Sequence, residues 1–341
     1  MSVTIKDVAR KANVGVSTVS RAMNQTGYVS VEALERIKSA VEELGYKPDP
    51  TARALIRRKV DMVALVVDCP LNETWDRIIT HLENELFVEK YISCVFIISD
   101  EMDDWHQRYR TVMEMIRERR MSGIIFMGGD VHARDEELYQ SLLNENIPMV
   151  GIECYMPGSV VVSSDQEAAG RIATRHLLSL GHKRIGHVRP LDDGAAAGRL
   201  TGWKKELGKA GITPDERWEV KVSGPGFQPA RELGLQVLAQ PDRPTAYICC
   251  NDEAALGLMS AANELGIKVP GELSIIGYDN MPSSAMYNPP LTTLVQPTER
   301  MARIAVDELM TSLHGRDVVV GKRIVETSLV VRGTTAPPPA K

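Results

Sequence analysis

Features that would place the chain in or across a membrane are missing from its sequence. No uninterrupted apolar stretch in the 341 residues approaches the roughly 20 that a helix needs to span a bilayer. The N-terminal residues MSVTIKDVARKANV contain no apolar core like that of a signal peptide. We therefore expect the protein to stay in the cytoplasm.

Patterns typical of metal sites and disulfides are also absent. The five cysteines, an odd number, form no CxxC motif, and the seven histidines form no HxxxH or HxH pair. Small buried thiols in a reducing compartment explain the cysteines better than disulfides or zinc. The sequence predicts neither a structural metal nor a cofactor.

The chain lacks the short motifs of common enzyme classes. It contains no GxSxG, GxxxxGKS, GxxxxGKT or HExxH sequence. The carboxylates of Asp192 and Asp193 form a pair, but they lie in a loop rich in glycine and alanine without a partner base. We predict that the protein is not an enzyme.

What is present is an ordinary globular composition with an uneven distribution of charge. The chain is 43% hydrophobic and 25% charged, with a net charge of −5. Residues 1–60 carry 11 Lys or Arg against 6 Asp or Glu, so the remainder carries 29 against 39. A basic head on an acidic body suggests that only the head meets a polyanion, although chance clustering on a solvated surface is the alternative.

Apolar residues recur at helical spacing in three short N-terminal stretches. These are Ile5, Val8, Ala9 and Ala12; Val16, Val19 and Met23; and Val31, Leu34, Ile37, Val41 and Leu44. Thr4 and Ser30 are suitable N-caps for the first and third helices, and Gly45 is suited to end the third. Two short helices joined by a tight turn and braced by a third form the helix-turn-helix plan, whose second helix enters the major groove.

This head closely resembles that of the lactose/galactose/purine-repressor family. The resemblance is carried by DVA, VSTVSRAMN, the VS before the third helix and LGYKP. It implies that Val16 and Ser17 read bases and that further DNA contacts come from Thr4, Thr18, Ser20, Arg21, Asn24 and Tyr46. Taken singly, each residue has another interpretation: Val16 could belong to the core of the head, and Arg21 could pair with a carboxylate. Gly15 departs from the Ser usual in the family, at a cost of a few tenths of a kcal/mol in capping.

A basic segment, residues 48–60, follows the head and precedes the body. It is too short to form a stable helix alone. The family resemblance implies a hinge helix that folds on the operator and pairs with a second copy, with Ala52 and Leu55 at the DNA and Leu55 wedged into the minor groove. The alternative is an exposed linker whose Leu55 packs on the body.

From residue 61 to residue 341, apolar runs of strand length alternate with amphipathic stretches of helix length. Such runs occur at residues 63–67, 93–98, 123–127, 148–152, 160–163, 183–188, 218–222, 246–250 and 273–278. Continuous apolar strands separated by helices predict parallel sheets covered on both faces, and two such series predict two doubly wound α/β lobes. The alternating tail 322–332 fits an edge or crossing strand.

The body also resembles the same family, through HLLSLGHKRIGHV, RPTAYICCNDEAALG and VPGELSIIGYDN. The implied fold is like that of periplasmic binding proteins, with lobes that close on a ligand. Three crossovers are expected near Ser163–Asp165, Leu291–Val295 and Arg323–Val325. The predicted N-lobe is about 61–163 plus 294–322, and the C-lobe about 164–292 plus 323–333, after a head of residues 1–47.

Ligands in open α/β sheets bind at the carboxyl ends of the strands, where several polar residues are expected. The candidate effector-binding residues are Asn72, Trp75, Glu153, Asp165, Arg199, Phe227, Asn251, Asp279 and Gln296. Alternatives are that Asp165 and Asp252 cap helices, that Trp75 is lobe core, and that Arg199 pairs with Asp279. Carboxylates, amides, one arginine and an aromatic residue favour a sugar or sugar derivative over a nucleoside or purine.

These observations together predict a sequence-specific transcription regulator, most simply a repressor. A homodimer would place two heads on the half-sites of a near-palindromic operator, and ligand binding would change DNA affinity by shifting the lobes. The C-terminus carries no leucine heptad, which favours a dimer over a tetramer. Alternatives are a regulator of this fold controlled by a protein partner, and a solute-binding protein without DNA function.

Overall fold

The structure, a computed structural model, describes residues 3–24, 27–46, 60–69, 71–98, 104–191, 197–224 and 226–340. The chain divides into two compact units, Met1–Val60 and Asp61–Lys341. The predicted DNA contacts at Ala52 and Leu55, with most of the predicted hinge, lie outside the described residues, as does the Asn24 side chain.

The head contains the three predicted helices, α1 (Ile5–Ala12), α2 (Val16–Asn24) and α3 (Val31–Leu44). Thr4 precedes α1 and donates from its backbone N and its hydroxyl to Asp7, at 3.0 and 2.7 Å. The Ser30 hydroxyl accepts from the backbone of α3, and Gly45 ends that helix at φ +59°, a conformation that glycine adopts without strain. These capping predictions are confirmed.

The buried face of α2 differs from the predicted one. Val19 is fully buried, whereas Val16 and Met23 are 42% and 36% exposed. The face that packs in the head core is formed by Val19 with the partly buried Ala22. The prediction that Val16 and Met23 share the buried face was therefore wrong: the helix presents a narrower stripe to α1 and α3 than its apolar spacing indicated.

The first lobe of the body is a six-stranded sheet with helices on its faces. In chain order it contains β1 (Val60–Val67), α4 (Glu73–Val88), β2 (Ile92–Ile97), α5 (Trp105–Glu118), β3 (Met121–Met127), α6 (Val131–Arg134), α7 (Glu136–Asn144), β4 (Met149–Ile152), β5 (Val160–Ser164), α12 (Thr298–Leu313) and β11 (Gly321–Val325). The strand order is β11-β5-β4-β3-β1-β2. Parallel pairings join β1 to β2, β3 to β4, β4 to β5 and β5 to β11.

The second lobe is built in the same way. In chain order it contains α8 (Gln166–Ser179), β6 (Ile185–Pro190), α9 (Ala197–Lys209), β7 (Glu219–Val222), α10 (Phe227–Val237), β8 (Ala246–Cys249), α11 (Asp252–Glu264), β9 (Ser274–Asp279), β10 (Thr292–Val295) and β12 (Leu329–Val330), with 3-10 turns at Glu216–Trp218 and Pro282–Ala285. The strand order is β12-β10-β9-β8-β6-β7, and β12 alone among the described pairings of this sheet runs antiparallel. The predicted fold class, two doubly wound lobes with a helical head, is confirmed.

Burial of apolar strands on both faces of each sheet explains the continuous apolar runs. In the first lobe, Val63, Leu65 and Val67 pack with residues of α4 and α12. In the second lobe, one core cluster lies under α10 and α11, and another, which includes Trp203, lies under α8 and α9. Strands covered on both faces have no solvent side on which polar residues would alternate.

The chain crosses between the lobes slightly later than predicted. Residues 292–295 form β10 of the second sheet, with Leu294 opposite Tyr278, and residues 321–325 form β11 of the first, with Arg323 opposite Val162. The segments expected to cross at 291–295 and 323–325 are therefore strands, and the chain changes lobe just after each one. The alternating tail is the edge strand of the first sheet and then that of the second.

The described residues add two observations on thiols and membrane spans. All five cysteines are free thiols; Cys154, Cys249 and Cys250 are buried, and burial raises the pKa of Cys250 to about 12. Over the described ranges, no helix has the length and apolarity that crossing a bilayer requires. The thiols are therefore packed mainly as small apolar side chains.

Candidate DNA-binding surface and ligand site

The open face of α2 carries several of the residues predicted to contact DNA. Val16, Ser17 and Arg21 are exposed, and Thr18 and Ser20 are half-buried. In the part of the chain that the structure describes, no carboxylate pairs with Arg21. The exposure of Val16 and the unpaired guanidinium of Arg21 contradict the alternatives that placed Val16 in the core and Arg21 in an ion pair.

Two further residues predicted to contact DNA, Thr4 and Tyr46, flank the helical core of the head. Thr4 is exposed, although its hydroxyl is already donated to Asp7, and Tyr46 packs partly against the core. A hydroxyl that donates can still accept, and a tyrosine can keep its polar tip in water while its ring packs. Both positions remain predictions.

In the body, Glu153 is the centre of a buried polar cluster between the lobes. It follows β4 at φ +48°, and its side chain is buried at 8% exposure. Glu153 Oε1 accepts from the Ser164 backbone N–H at 2.8 Å and from the Ser164 hydroxyl. Gln166 Nε2 donates to both carboxylate oxygens at 3.1 and 3.2 Å, and Gln296 Nε2 donates at 3.4 Å. These donors lie on β5, α8 and the crossover after β10, so the carboxylate sits where the lobes meet.

Arg199 joins the same cluster from the second lobe. Its Nη1 donates to Gln166 Oε1 at 2.6 Å, and its guanidinium lies 4.1 Å from the centroid of the Tyr278 ring. The Tyr278 hydroxyl is 2.5 Å from Ser164 Oγ, which closes a ring of contacts back to Glu153. Glu153, Arg199 and Gln296, which the sequence predicted as ligand residues, are thus brought together.

Close packing of α8 against α9 fixes the position of Arg199. A Cβ atom at Gly170 in α8 would lie 2.1 Å from the carbonyl oxygen of Arg199. Only a residue without a side chain permits this approach. The position of Arg199 therefore depends on the contact between α8 and α9.

Asp279 ends β9 beside this cluster and has an unusual environment. It is buried, lies at φ +115°, and accepts no hydrogen bond at its carboxylate from any described residue. Burial raises the pKa of Asp279 well above its ordinary value, the nearby Asp252 adds to the rise, and Arg199 opposes it. Within the described ranges, no ion pair joins Arg199 to Asp279, so the alternative salt bridge is not formed.

Burial also raises the pKa of Glu153. The hydrogen bonds from Ser164 and the charge of Arg199 act in the opposite direction. A carboxylate with several donors and a cation nearby is better compensated than one without donors. Of the two buried carboxylates in the cleft, Asp279 therefore has the greater need of an outside hydrogen-bond donor.

Asn251 takes the capping role that the sequence assigned to Asp252, and the ligand contact predicted for Asn251 stays a prediction. Asn251, expected to contact ligand, caps α11 by accepting from Ala254 N–H at 2.8 Å. Asp252, expected to cap, is fully buried in the first turn and accepts from Met281 N–H at 2.8 Å and from the hydroxyls of Ser284 and Thr293. Asn251 has the extended backbone of an N-cap, φ −156°, which leaves Asp252 directed toward the turn after β9.

The remaining candidates lie at helix starts. Asn72 caps α4 through Thr74 and Trp75 N–H, and Asp165 caps α8 through Ala168 N–H at 2.9 Å. Trp75 is half-buried against the first-lobe core, and Phe227 is exposed at the start of α10. Among the described residues, no hydrogen bond or ring contact joins Asn72, Asp165, Trp75 or Phe227 to Glu153 or Arg199. The capping interpretation of Asp165 and the core interpretation of Trp75 agree with these contacts.

Three members of the cluster were not among the predicted ligand residues: Ser164, Gln166 and Tyr278. Ser164 and Gln166 flank Asp165 at the first crossover, and Tyr278 precedes Asp279 in the sequence. Tyr278 belongs to an apolar strand, and its ring packs in the second-lobe core. Its hydroxyl is the group that reaches the polar cluster, through Ser164. The signal available in the sequence was their position at the end of a strand.

A cavity of about 380 Å³ lies beside the cluster. It is bounded by Ser164 and Gln166, by Tyr155 after β4, by Gly198 at the start of α9 and by Lys322 on β11. The volume is within the range of small-molecule sites. The cavity therefore offers space next to Ser164 and Gln166 of the polar cluster.

A helix-turn-helix head together with a two-lobed α/β body that buries polar groups between its lobes defines a class of ligand-controlled DNA-binding regulators. Residues 4–49 match the family model described as "Bacterial regulatory proteins, lacI family", and residues 174–335 match "Periplasmic binding protein-like domain". The chain belongs to the lacI family of bacterial regulatory proteins.

Relatives support this assignment over nearly the whole chain. The HTH-type transcriptional repressor PurR of Vibrio atlanticus is 33% identical, covering 92% of this chain and 93% of the relative, and that of Haemophilus influenzae is 32% identical, covering 92% of each. The structure of the lac repressor dimer bound to operator and the anti-inducer ONPF has a TM-score of 0.79 at 27% identity, covering 98% of this chain and 100% of that one.

A regulator in complex with a sugar is also similar. The transcriptional regulator CelR–cellobiose complex has a TM-score of 0.72 at 25% identity and covers 97% of this chain and 99% of that one. The protein is thus a DNA-binding transcriptional repressor of the lacI family. The prediction that it is not an enzyme is confirmed by this kinship.

Proposed function

We propose that the protein binds a near-palindromic operator as a homodimer and that a small polar ligand in the cleft between its lobes sets its DNA affinity. Family membership supports the DNA role, and the similar lac repressor structure is a dimer on operator. The exposed Val16, Ser17 and Arg21 on α2 are the groups proposed to face the bases, since short or forked side chains fit base edges.

An exposed apolar patch in the first lobe supports the homodimer. Phe87, Val88 and Ile92 are 80%, 73% and 66% exposed, at the end of α4 and on the edge strand β2. Contiguous exposed apolar groups and an open strand edge are features that a partner surface covers. We assign a second copy of this chain to this patch.

The environment of Asp279 is the observation that carries the ligand proposal. A buried carboxylate without a hydrogen-bond donor is costly, and a ligand with hydroxyl or N–H groups would satisfy it. Arg199 lies on the same side of the cleft and has N–H groups in addition to the one given to Gln166.

A polyhydroxylated ligand, a sugar or sugar derivative, fits this pair of groups best. A carboxylate accepts two hydrogen bonds from neighbouring hydroxyls, while a guanidinium donates to their oxygens. The exposed ring of Phe227, at the helix start that follows β7, offers a stacking surface. A nucleoside or purine, whose N–H groups also suit Asp279, is the competing ligand class.

Operator binding of the full chain at fixed salt, with and without sugars and nucleosides, tests the proposal. Salt is fixed because phosphate contacts make affinity steeply salt-dependent. We expect specific binding to a near-palindrome from the region upstream of its own coding sequence, shifted by one sugar. A shift by a nucleoside or purine would replace the ligand class, and specific binding that no compound shifts would favour a regulator controlled by a protein partner. No specific binding with any compound would contradict the operator proposal.

A further inference from the structure

The lobes also contact each other at the start of α4, away from the crossovers. Arg77 Nη1 donates a hydrogen bond of 3.1 Å to the carbonyl oxygen of Asn280, and Ser283 N–H donates one of 3.0 Å to Glu73 Oε2. Glu73 and Arg77 belong to the first lobe, whereas Asn280 and Ser283 lie in the turn after β9 of the second. Both hydrogen bonds require the lobes to be close together.

A third contact joins the same helix start to another element of the second lobe. The Asn72 side chain, which caps α4, lies beside Glu253 in the first turn of α11. Burial raises the pKa of Glu253, the Asn72 side chain opposes the rise, and the nearby Glu73 adds to it. The start of α4 therefore contacts two separate elements of the second lobe.

The turn that Arg77 contacts is conformationally demanding. Asp279 and Asn280 have φ values of +115° and +54°, and a left-handed backbone costs free energy at residues other than glycine. Such a turn persists when its surroundings hold it. Arg332 donates to Asn280 Oδ1 at 2.6 Å, and Asn280 N–H donates to Thr293 Oγ1 at 3.3 Å. Arg77 is the support that comes from the opposite lobe.

We infer that the first turn of α4 is a latch between the lobes, with Arg77 a positioning residue for the turn that presents Asp279. The hydrogen bonds of this latch join groups of the two lobes directly. The latch adjoins Asp279 in sequence, and opening it would release the backbone on which that carboxylate is mounted. The closed arrangement of the lobes is then stabilised by contacts that the lobes make with each other.

Residue-resolved hydrogen exchange of the full chain, without DNA or added compounds, tests the latch. The Ser283 amide donates across the lobes to Glu73, whereas the Met281 amide donates to Asp252 within the second lobe. We expect Glu73→Ala to speed exchange at Ser283 by removing its acceptor. Arg77→Ala should also speed it, about tenfold, because opening the latch at one contact separates the other. Arg77→Lys, which keeps a charged donor, should restore part of the protection.

Two references make the result decisive. Arg108→Ala removes an exposed arginine from α5 in the same lobe and should leave Ser283 unchanged, and protection at Met281 in every variant would show that the second lobe stays folded. Exchange at Ser283 as fast in the native protein as in Glu73→Ala would overturn the latch, because the bond would then be open in solution. Acceleration in Glu73→Ala but not in Arg77→Ala would overturn it as well, since the two contacts would then be independent.

Discussion

At the scale of single residues, Asp279 and His187 are buried ionisable groups that have no hydrogen-bond partner for their side chains among the described residues. Asp279 lies in the cleft, where a ligand can supply the donor. His187 lies inside the second lobe against Trp203, with ring centroids 5.8 Å apart, and neither of its ring nitrogens has a partner among the described residues. Asp279 faces the cleft, so we expect its substitution to change the response to ligand. His187 lies away from the cleft, so we expect its substitution to change stability in acid.

Asp279→Asn should weaken ligand binding while leaving operator binding intact. Loss of a charged acceptor costs about 1.5–3 kcal/mol, or roughly ten- to a hundredfold in affinity. Folding stability at neutral pH should not fall, because the substitution removes a buried carboxylate whose pKa is raised. Calorimetric titration with the effector and thermal unfolding measure the two quantities.

The matched control for this prediction is Asp317→Asn, at an exposed position in the loop after α12. It changes the charge equally and should leave effector affinity as it is. If Asp279→Asn binds the effector as tightly as the native protein does, Asp279 is not a ligand residue.

His187→Phe should make the protein more resistant to acid. Burial lowers the pKa of His187 to about 3, so the unfolded chain takes up a proton first as the pH falls below 6.5. The stability that neutral His187 provides is present above pH 6.5 and is lost as the pH falls toward 3, by up to about 1.4 kcal/mol per pH unit. Phenylalanine fills a similar volume and binds no proton.

Urea unfolding between pH 7 and pH 4.5 measures this effect. The free energy of unfolding should fall less steeply in His187→Phe than in the native protein. His314→Phe, at an exposed histidine after α12, should keep the native slope. Equal slopes in all three proteins would show that His187 titrates normally in the folded state.

At the scale of elements, the contact of α8 with α9 determines where Arg199 lies. The close approach at Gly170 was not visible in the sequence, because GRIATRH is compatible with any amphipathic helix. The helices, strands and caps themselves were largely predictable, since apolar spacing and capping residues act locally. The positions of the second and third crossovers could not be predicted from the sequence. Only the pairing of β10 with β9 and of β11 with β5 shows to which sheet each strand belongs.

Gly170→Ala should destabilise the body and displace Arg199. The added Cβ would lie 2.1 Å from the Arg199 carbonyl oxygen, so α8 and α9 must separate, at a cost of about 1–3 kcal/mol. Gly208→Ala, in α9 with nothing within 4 Å of its added Cβ, should instead stabilise by about 0.5–1 kcal/mol. Denaturant unfolding of both variants measures the difference in their free energy of unfolding. An equal free energy in both would mean that α8 and α9 separate without loss of stability.

At the scale of the whole molecule, the patch at Phe87, Val88 and Ile92 is expected to decide assembly. Phe87→Glu with Ile92→Glu would bury two charges against a partner surface, and we expect the dimer to dissociate by at least a hundredfold in its dissociation constant. Operator affinity should also fall when the dimer dissociates, because each half-site then binds one head independently. Sedimentation equilibrium and operator titration test both expectations.

Val319→Glu with Val320→Glu is the control, in a loop where both side chains are also exposed. It adds the same charge and should leave the dimer intact. A dimer that survives the first double substitution would place the interface elsewhere on the body.

The sequence by itself determined the helix-turn-helix head, the alternation that makes two α/β lobes, and the residues Glu153, Arg199 and Gln296, because local spacing and family motifs carry that information. Tertiary structure decided which of the other candidates cap helices, that Val16 is exposed and Val19 buried, and that Ser164, Gln166 and Tyr278 join the cleft. These outcomes depend on which surfaces of distant segments meet. The contacts of Glu73 and Arg77 with the opposite lobe span more than 200 positions of the chain, and no local pattern in a single sequence specifies such a pairing.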